Sequence, residues 1–480
     1  MRFVSKKIIT GDTLNIIEIL IAFVLFFIYV FKNLRNIFFD KAFIGFIFLS
    51  FVSVYLIIYD TFRWQLIPLI LLIIITYILL IYIGFIYKNK NLKVSHKLSR
   101  RIVTVLIASF LFSSIIFPLN DFKIYKGKYY VGNKIYTMID PLRKEILSKN
   151  ENRKISVKLY YPSDSISKER NRWIDNIDGL EKYIFAKYKI PKFFVSYIGN
   201  IKTNSYKNVE VSNNVEKMPV VIISHGFASL GDFQTSLAEK LASNGYLVAV
   251  INHTYGSIVT NIDNKNIYLD DNLFSNDDLD YFSFGKNIID IYKKDIMLTI
   301  EGLKKLNSVK SNLDFKNKID VNNIALLGHS IGGSAALLLE KDDRVKSVIA
   351  LDPWIEPISS KFVKYGFNKP TSVLISDEWY NSENTRYIFR ICEINNCVNS
   401  KVYKVNKFSH QDFTDLGELG LMSKLFKISK TDNYNLNHKK NNAFILNYFD
   451  YYLLKKNTES KLMSYINENN DIFKAIGVKK

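Results

Sequence analysis

The stretch Asn323-Ile324-Ala325-Leu326-Leu327-Gly328-His329-Ser330-Ile331-Gly332-Gly333-Ser334-Ala335-Ala336-Leu337 decides the fold. Its first five residues read as a buried strand, and its last residues open an Ala- and Leu-rich helix predicted over Ile331–Lys341. Between them stands G-x-S-x-G, a tight strand-to-helix turn in which small residues at 328 and 332 spare the neighbouring strand and helix a collision. Such a turn pushes Ser330 out at the sheet edge, and the helix behind it directs its N-terminal dipole at developing negative charge. The reading is a serine nucleophile on an α/β sheet.

Outward from this turn, short β-branched runs alternate with amphipathic segments, as parallel βαβ units require. Strands are predicted at Val157–Tyr161, Pro219–His225, Tyr246–Asn252, Asn323–Leu327, Val345–Leu351, Thr371–Ser376 and Lys401–Val405, with helices at Asp232–Ser243 and Gly285–Leu306. The core runs are continuously apolar rather than alternating, so the sheet is covered on both faces. The expected class is α/β: an α/β-hydrolase fold with a mostly parallel central sheet and helices on both faces.

An oxyanion needs two donors already aimed at it. One is expected from the backbone N–H of Ile331; the other from Phe227, in the loop Ser224-His225-Gly226-Phe227 after a strand. Of the six histidines, His410 is the candidate base. It follows the last strand, in Ser409-His410-Gln411-Asp412-Phe413, and comes after the nucleophile in the chain. His96 lies between apolar runs, His225, His253 and His329 end strands at or before the serine, and His438 sits in a polar Asn/Lys stretch. Two acids compete, Asp352 and Asp377, each ending a strand between Ser330 and His410, and the residues alone leave both open.

Residues 1–120 differ sharply in composition from the rest. Four apolar runs, Leu14–Phe31, Ala42–Tyr59, Gln65–Tyr87 and Ile102–Leu119, approach the roughly 20 residues a helix needs to cross a bilayer, and predict an all-α transmembrane region of about four helices. Glu18, one turn into the first run, is expected to snorkel to the interface. Residues 121–153 then read as a linker and 154–480 as the hydrolase domain, with an insertion at about 163–216. Lys88, Lys90, Lys93, Lys97, Arg100 and Arg101 make the third inter-run segment densely basic, which places it in the cytoplasm and the hydrolase domain outside the plasma membrane.

The formal charge of +20 is scattered rather than gathered into a stripe, which argues against a nucleic-acid partner and suits a membrane protein beside anionic headgroups. Two cysteines, Cys392 and Cys397, provide neither a disulfide framework nor the usual tetrahedral zinc spacing, though they could pair with each other in an oxidising compartment. No metal, organic cofactor or obligatory protein partner is expected.

Several separately placed motifs together resemble one family. They are Val157-Lys158-Leu159-Tyr160-Tyr161-Pro162-Ser163, Ser224-His225-Gly226, Leu241-Ala242-Ser243-Asn244-Gly245-Tyr246, Gly328–Gly333, Leu351-Asp352-Pro353-Trp354 and His410-Gln411-Asp412-Phe413-Thr414-Asp415. In this order, over roughly 155–420, they resemble the platelet-activating-factor acetylhydrolases, calcium-independent lipases and esterases of the α/β-hydrolase superfamily. The resemblance implies Asp352 as the acid, with Asp377 in reserve, His410 as the base, and Phe227 and Ile331 as oxyanion donors. It implies hydrolysis of carboxylic esters, lipid or phospholipid-like short-acyl esters foremost, through an acyl-enzyme. Trp173, Phe193, Phe194 and Tyr197 are implied as an apolar rim, or else as ordinary core. The chain departs at Glu356-Pro357, where the family tends to carry Phe-Pro, and the apolar N-terminal runs are not part of the family pattern. The rival readings are an acyltransferase on the same scaffold and a catalytically inactive membrane-bound binding or sensing module.

Overall fold

The structure is a computed structural model. It describes residues 11–30, 45, 47–53, 63–81, 96–123, 127–147, 150–167, 169–270, 280–310, 314–363, 366–395, 400–456 and 458–476. The chain forms two compact units. One comprises Met1–Asp121 with Tyr188–Lys202 and Leu419–Met422; the other comprises Phe122–Lys187, Thr203–Glu418 and Ser423–Lys480.

The larger unit is built on a ten-stranded sheet. Its strands are β1 (Tyr130–Lys144), β2 (Asn152–Ser163), β3 (Ser205–Lys207), β4 (Met218–Ser224), β5 (Leu247–Asn252), β8 (Ile319–His329), β9 (Val345–Leu351), β10 (Thr371–Ser376), β11 (Ser400–Val405) and β12 (Phe473–Ile476). Strands β6 (Val259–Ile262) and β7 (Lys265–Tyr268) form a separate hairpin. The order across the sheet is β12-β11-β10-β9-β8-β4-β5-β2-β1-β3. The six central strands from β11 to β5 run parallel, whereas β2 pairs antiparallel with both β5 and β1, and β12 antiparallel with β11.

Parallel neighbours need crossovers. Thr235–Ala242 joins β4 to β5, Tyr281–Ser308 lies between β5 and β8, Ile331–Leu337 joins β8 to β9, and Glu383–Asn395 joins β10 to β11. The long helix starts where Asp280 accepts the Ser283 N–H at 2.7 Å, an N-cap that satisfies one orphan donor of the first turn. Alternate residues of the central strands face opposite layers. Ile222, Leu326 and Ala350 pack with Ile288 and Ile296 of Tyr281–Ser308, while Val221, Leu327 and Ile349 pack with Leu237 of Thr235–Ala242 and Phe444 of the helix Tyr434–Tyr452. Each such fully buried Leu, Ile or Val contributes about 1.5–3 kcal/mol, which is why Val220–Ile223, Ile324–Leu327 and Val348–Leu351 are continuously apolar. From β4 the chain moves outward to β5, and from β8 it moves outward the other way to β9. The crevice between β4 and β8 is therefore the topological switch point, where open α/β sheets hold their sites.

Two sequence expectations change here. Residues 121–153, expected as a linker, contain the 15-residue strand β1. Much of its length alternates between covered and exposed side chains and carries Asn133, Lys134, Asp140 and Arg143, so it lacks the apolar continuity by which the central strands were recognised. The insertion is also divided, because 188–202 belongs to the other unit.

In that other unit the longer described helices are Gly11–Val30, Ile67–Ile81 and His96–Ile116, with residues 47–53 also helical and short turns at Trp64–Leu66, Phe193–Ser196 and Tyr197–Asn200. Leu25, Leu49, Leu69, Leu72 and Phe110 form its buried centre. Among the described residues Trp64–Ile81 is the helix long and apolar enough, by length and composition, to cross a membrane, and Glu18–Tyr29 is a shorter apolar one. Much of the expected second span and the ends of the first and third lie outside the described residues. Glu18 does not snorkel. It is buried and accepts a hydrogen bond from Arg63 Nη2 at 2.6 Å, with a second from the same nitrogen to its other oxygen. A buried carboxylate persists only with such a partner.

Candidate active site

Ser330 sits at the end of β8 with φ +55° and ψ −122°, a conformation that side chains rarely adopt and that places it at the mouth of the β4–β8 crevice. The turn closes because two positions carry no side chain. A Cβ on Gly328 would run into the Gly332 carbonyl, and one on Gly332 into the Ser224 carbonyl of the adjacent strand. The Ser330 N–H donates to the Leu351 carbonyl at 2.9 Å, and its carbonyl accepts from Ser334 N–H and Trp354 N–H, both at 3.2 Å. The Ser330 backbone is thereby tied to its own helix and to the chain after β9.

Asp352 follows β9, is buried, and has φ +41°. Its Oδ1 accepts the Ser376 N–H at 2.7 Å; its Oδ2 accepts the Ser376 hydroxyl at 2.6 Å and lies 3.1 Å from His410 Nδ1. With a carboxylate there, His410 Nδ1 carries the proton and Nε2 is left to accept one. Asp377 faces elsewhere. It pairs with Lys404 Nζ at 2.5 Å and accepts the Lys407 N–H at 2.6 Å, and these partners outweigh burial to hold its carboxyl below the ordinary value.

His410 opens a 3-10 turn, His410–Phe413, capped by Ser409 and Asp412. Asp412 is fully buried and accepts the Ser409 N–H at 2.7 Å and the Ser409 hydroxyl at 2.8 Å, with Ser429 as a further donor. Three residues that sequence reasoning did not single out complete the setting. Ser376 holds Asp352 from two sides. Trp379 stacks on the His410 ring at 4.3 Å with 5° between planes, which fixes the plane of the imidazole. His329 donates from Nε2 to the His410 carbonyl at 2.9 Å; burial, then the neighbouring His410, pushes the His329 imidazole well below its ordinary value, so it stays neutral. Sequence patterns carried no signal for these roles, which arise where the ends of β8, β9 and β10 meet the turn after β11.

Beside Ser330 the apolar wall is aromatic. Phe227 contacts Phe284 at 5.7 Å between centroids, Phe284 contacts Trp354 at 6.2 Å, and Tyr281 contacts Trp354 at 4.8 Å, with Tyr281 and Phe282 exposed. Ile331 opens the helix after Ser330, and the loop bearing Phe227 lies against the elbow, where a Cβ on Gly226 would come within 3.0 Å of the Ser330 Cβ. Of the aromatic residues implied as a rim, Trp173 is core. It is fully buried, donates to the Asp232 carbonyl at 2.8 Å, and packs on Phe122 and Phe233. Phe193, Phe194 and Tyr197 belong to the other unit, where Trp64 meets Phe194 at 4.8 Å and Phe117 meets Tyr197 at 6.1 Å. Cys392 is buried on Glu383–Asn395, and Cys397 lies outside the described residues. Among the described residues no group of three His, Cys, Asp or Glu side chains could hold a metal ion.

Comparison with known proteins agrees with this architecture. A ferulic acid esterase from Streptomyces cinnamoneus, 21% identical in sequence, superposes with a TM-score of 0.56 over 70% of this chain and 94% of its own, a likeness of fold. The platelet-activating factor acetylhydrolase of Bos taurus is 25% identical over 288 residues and that of Canis lupus familiaris 26%, each alignment covering 54% of this chain. The chain spans 62% of the length of these two relatives. The sequence model of the family described as "Platelet-activating factor acetylhydrolase, isoform II" matches residues 115–272 and 291–464, well over half of the chain, and the chain belongs to that family.

Proposed function

We propose that the chain is a serine hydrolase of carboxylic esters, with Ser330 as nucleophile, His410 as general base, Asp352 as the orienting acid, and the N–H groups of Phe227 and Ile331 as the oxyanion hole. The observation that carries this reading is the buried Asp352 carboxylate bonded to His410 Nδ1 at the crevice that also holds the strained elbow of Ser330. In the reaction, His410 Nε2 takes the Ser330 proton as Oγ bonds to the ester carbonyl carbon, and the carbonyl electron pair moves onto oxygen. Collapse expels the alcohol, which leaves with the proton from His410, and water activated by the same imidazole releases the acid from the acyl-enzyme.

The aromatic wall of Phe227, Phe284, Trp354 and Tyr281 supports an apolar ester, lipid or short-acyl phospholipid-like, as substrate. The N-terminal unit serves, in this reading, as a membrane anchor of several spans, with the hydrolase unit on the outer face of the plasma membrane. In its support, Leu20, Phe23, Phe51, Ile78, Phe112 and Ile115 are large apolar side chains left exposed on its helices.

The test uses the full chain in detergent with a fluorophosphonate and a panel of short-acyl, long-acyl and phospholipid esters. Wild type is expected to be labelled once and to turn over esters, and Ser330→Ala to do neither. Folded wild type that resists the probe and every ester would remove the enzymatic reading.

A further inference from the structure

Beneath the loop Ser224–Phe227 lies a buried polar chain that the proposed triad does not use. Ser224 Oγ is 2.9 Å from His253 Nε2, and His253 Nδ1 is 3.0 Å from Asp295 Oδ2. Asp295 also receives Arg153, at 2.7 and 3.2 Å, and Arg143 at 2.8 Å. The order Ser-His-Asp imitates a catalytic triad, but Ser224, His253 and Asp295 have no exposed surface, so no ester reaches them.

Their protonation follows from their partners. Burial alone would raise the Asp295 carboxyl, yet the charge and hydrogen bonds of Arg153, with those of His253, hold it far below its ordinary value. Burial pushes His253 down, only partly offset by Asp295, so the imidazole is neutral. His253 Nδ1–H then donates to Asp295, and the Ser224 hydroxyl donates to Nε2. The end of β4 is thus fixed to β2 and to the helix Tyr281–Ser308.

The next residue acts on the loop itself. His225 Nδ1 is 2.6 Å from the Gly226 carbonyl, which can only accept, so Nδ1 carries the proton. Its Nε2 is 2.8 Å from Ser257 Oγ, whose hydroxyl supplies the hydrogen to a neutral ring. The peptide between Gly226 and Phe227 is planar and trans, so its C=O and N–H point in opposite directions. Fixing the Gly226 carbonyl therefore fixes the direction of the Phe227 N–H.

We propose that His225 is the positioning residue of the oxyanion hole: by clamping the Gly226 carbonyl, with Ser257 holding its tautomer and the Ser224–His253–Asp295 chain anchoring the strand end, it aims the Phe227 N–H at the developing oxyanion. This rests on the reading of Ser330 as the nucleophile. His225 touches no substrate. Its loss therefore acts on the transition state more than on ester binding.

The test compares His225→Leu, His225→Asn and Ser257→Ala with wild type in the full chain. Hydrolysis of p-nitrophenyl acetate is measured alongside inhibition by a trifluoromethyl ketone, to which Ser330 Oγ adds to leave an oxyanion, its proton passing to His410. Removing an oxyanion donor costs about 10²–10³ in kcat, so a misaimed one in His225→Leu is expected to cost about 10²-fold, with KM within about twofold and ketone inhibition weakened in proportion. His225→Asn keeps an N–H at the position of Nδ1 and is expected to recover to within about tenfold of wild type. Ser257→Ala, which keeps the imidazole, is expected to lose about threefold to tenfold in kcat by the partial loss of the same effect, and it serves if His225→Leu does not fold. Folded His225→Leu with wild-type kcat, or an Asn variant as slow as the Leu variant, overturns the proposal, as does a Ser257→Ala enzyme with unchanged kcat and ketone inhibition. If wild type itself is not labelled at Ser330, it is the underlying hydrolase reading that fails.

Discussion

Asp352→Asn is the substitution whose outcome the geometry dictates most closely. The two carboxylate oxygens have different neighbours: Oδ1 faces the Ser376 N–H, and Oδ2 faces both the Ser376 hydroxyl and His410 Nδ1. A carboxamide has one acceptor. If its oxygen keeps the Ser376 N–H, its NH₂ confronts His410, whose Nδ1 must give up its proton and accept, leaving the hydrogen on Nε2 where it cannot take one from Ser330. If the amide turns over, two N–H donors meet at Ser376, in a buried site where an unsatisfied donor costs about 1–3 kcal/mol. The first arrangement therefore prevails, and kcat is expected to fall by ~10⁴, about 5 kcal/mol of transition-state stabilisation, as when a triad histidine is held in the wrong tautomer. Steady-state ester hydrolysis measures the loss, with fold checked by circular dichroism. Asp377→Asn is the control. It gives up a part-exposed pair with Lys404 worth under about 1 kcal/mol and should leave kcat within about twofold. A folded Asp352→Asn enzyme within tenfold of wild type, or a larger loss from Asp377→Asn, would refute the assignment.

Two further perturbations probe the surroundings. Ser376→Ala deletes one of the donors to Asp352 and the acceptor of the Trp379 N–H at 3.2 Å; kcat should drop by about tenfold, the weight of roughly one hydrogen bond to a charged group, and unchanged kinetics would show that Ser376 is idle. His438 is buried, which pushes its imidazole down to about 3. Between that value and about 6.5 the unfolded chain binds a proton that the folded chain refuses, so its contribution is complete above pH 6.5 and is lost as pH falls, at about 1.4 kcal/mol per pH unit. Thermal melts from pH 7 to 4 should therefore show a shallower acid decline in His438→Gln than in wild type, and parallel curves would count against this linkage.

The strands β4, β5, β8 and β9 were legible because most of their residues are apolar on both faces, and the turn at Ser330 because its spacing needs glycine at 328 and 332. β1 was not, since exposure of residues such as Thr137 and Lys144 lets polar side chains into it and even its covered face carries Asn133. Asp352 and Asp377 look equivalent as strand-end carboxylates; what separates them is a left-handed backbone at 352 that turns one carboxylate inward, while the other meets Lys404 at the surface. Ser376, Trp379 and His329 gain their roles only when the ends of β8, β9 and β10 converge on the turn after β11, and nothing in their local sequence announces it. The Glu18–Arg63 pair was hidden for the same reason, as 45 residues separate its members.

The aromatic cluster of the N-terminal unit has a consequence for how the protein is made. Trp64 and Phe117 find their partners in Phe194 and Tyr197, and Tyr197 in turn lies with its hydroxyl 3.8 Å from the Met422 sulfur. Met422 is translated 358 residues after Trp64. At roughly 5–20 residues per second that is a delay of about 20–70 s on the ribosome. Phe194 and Tyr197 arrive 130 and 133 residues after Trp64 and Met422 only at the end, so for all of that interval the first helices lack part of their final cover, which lipid, insertion machinery or a chaperone can supply. The timetable of synthesis, as much as the finished packing, is thus written into where this unit's pieces fall along the chain.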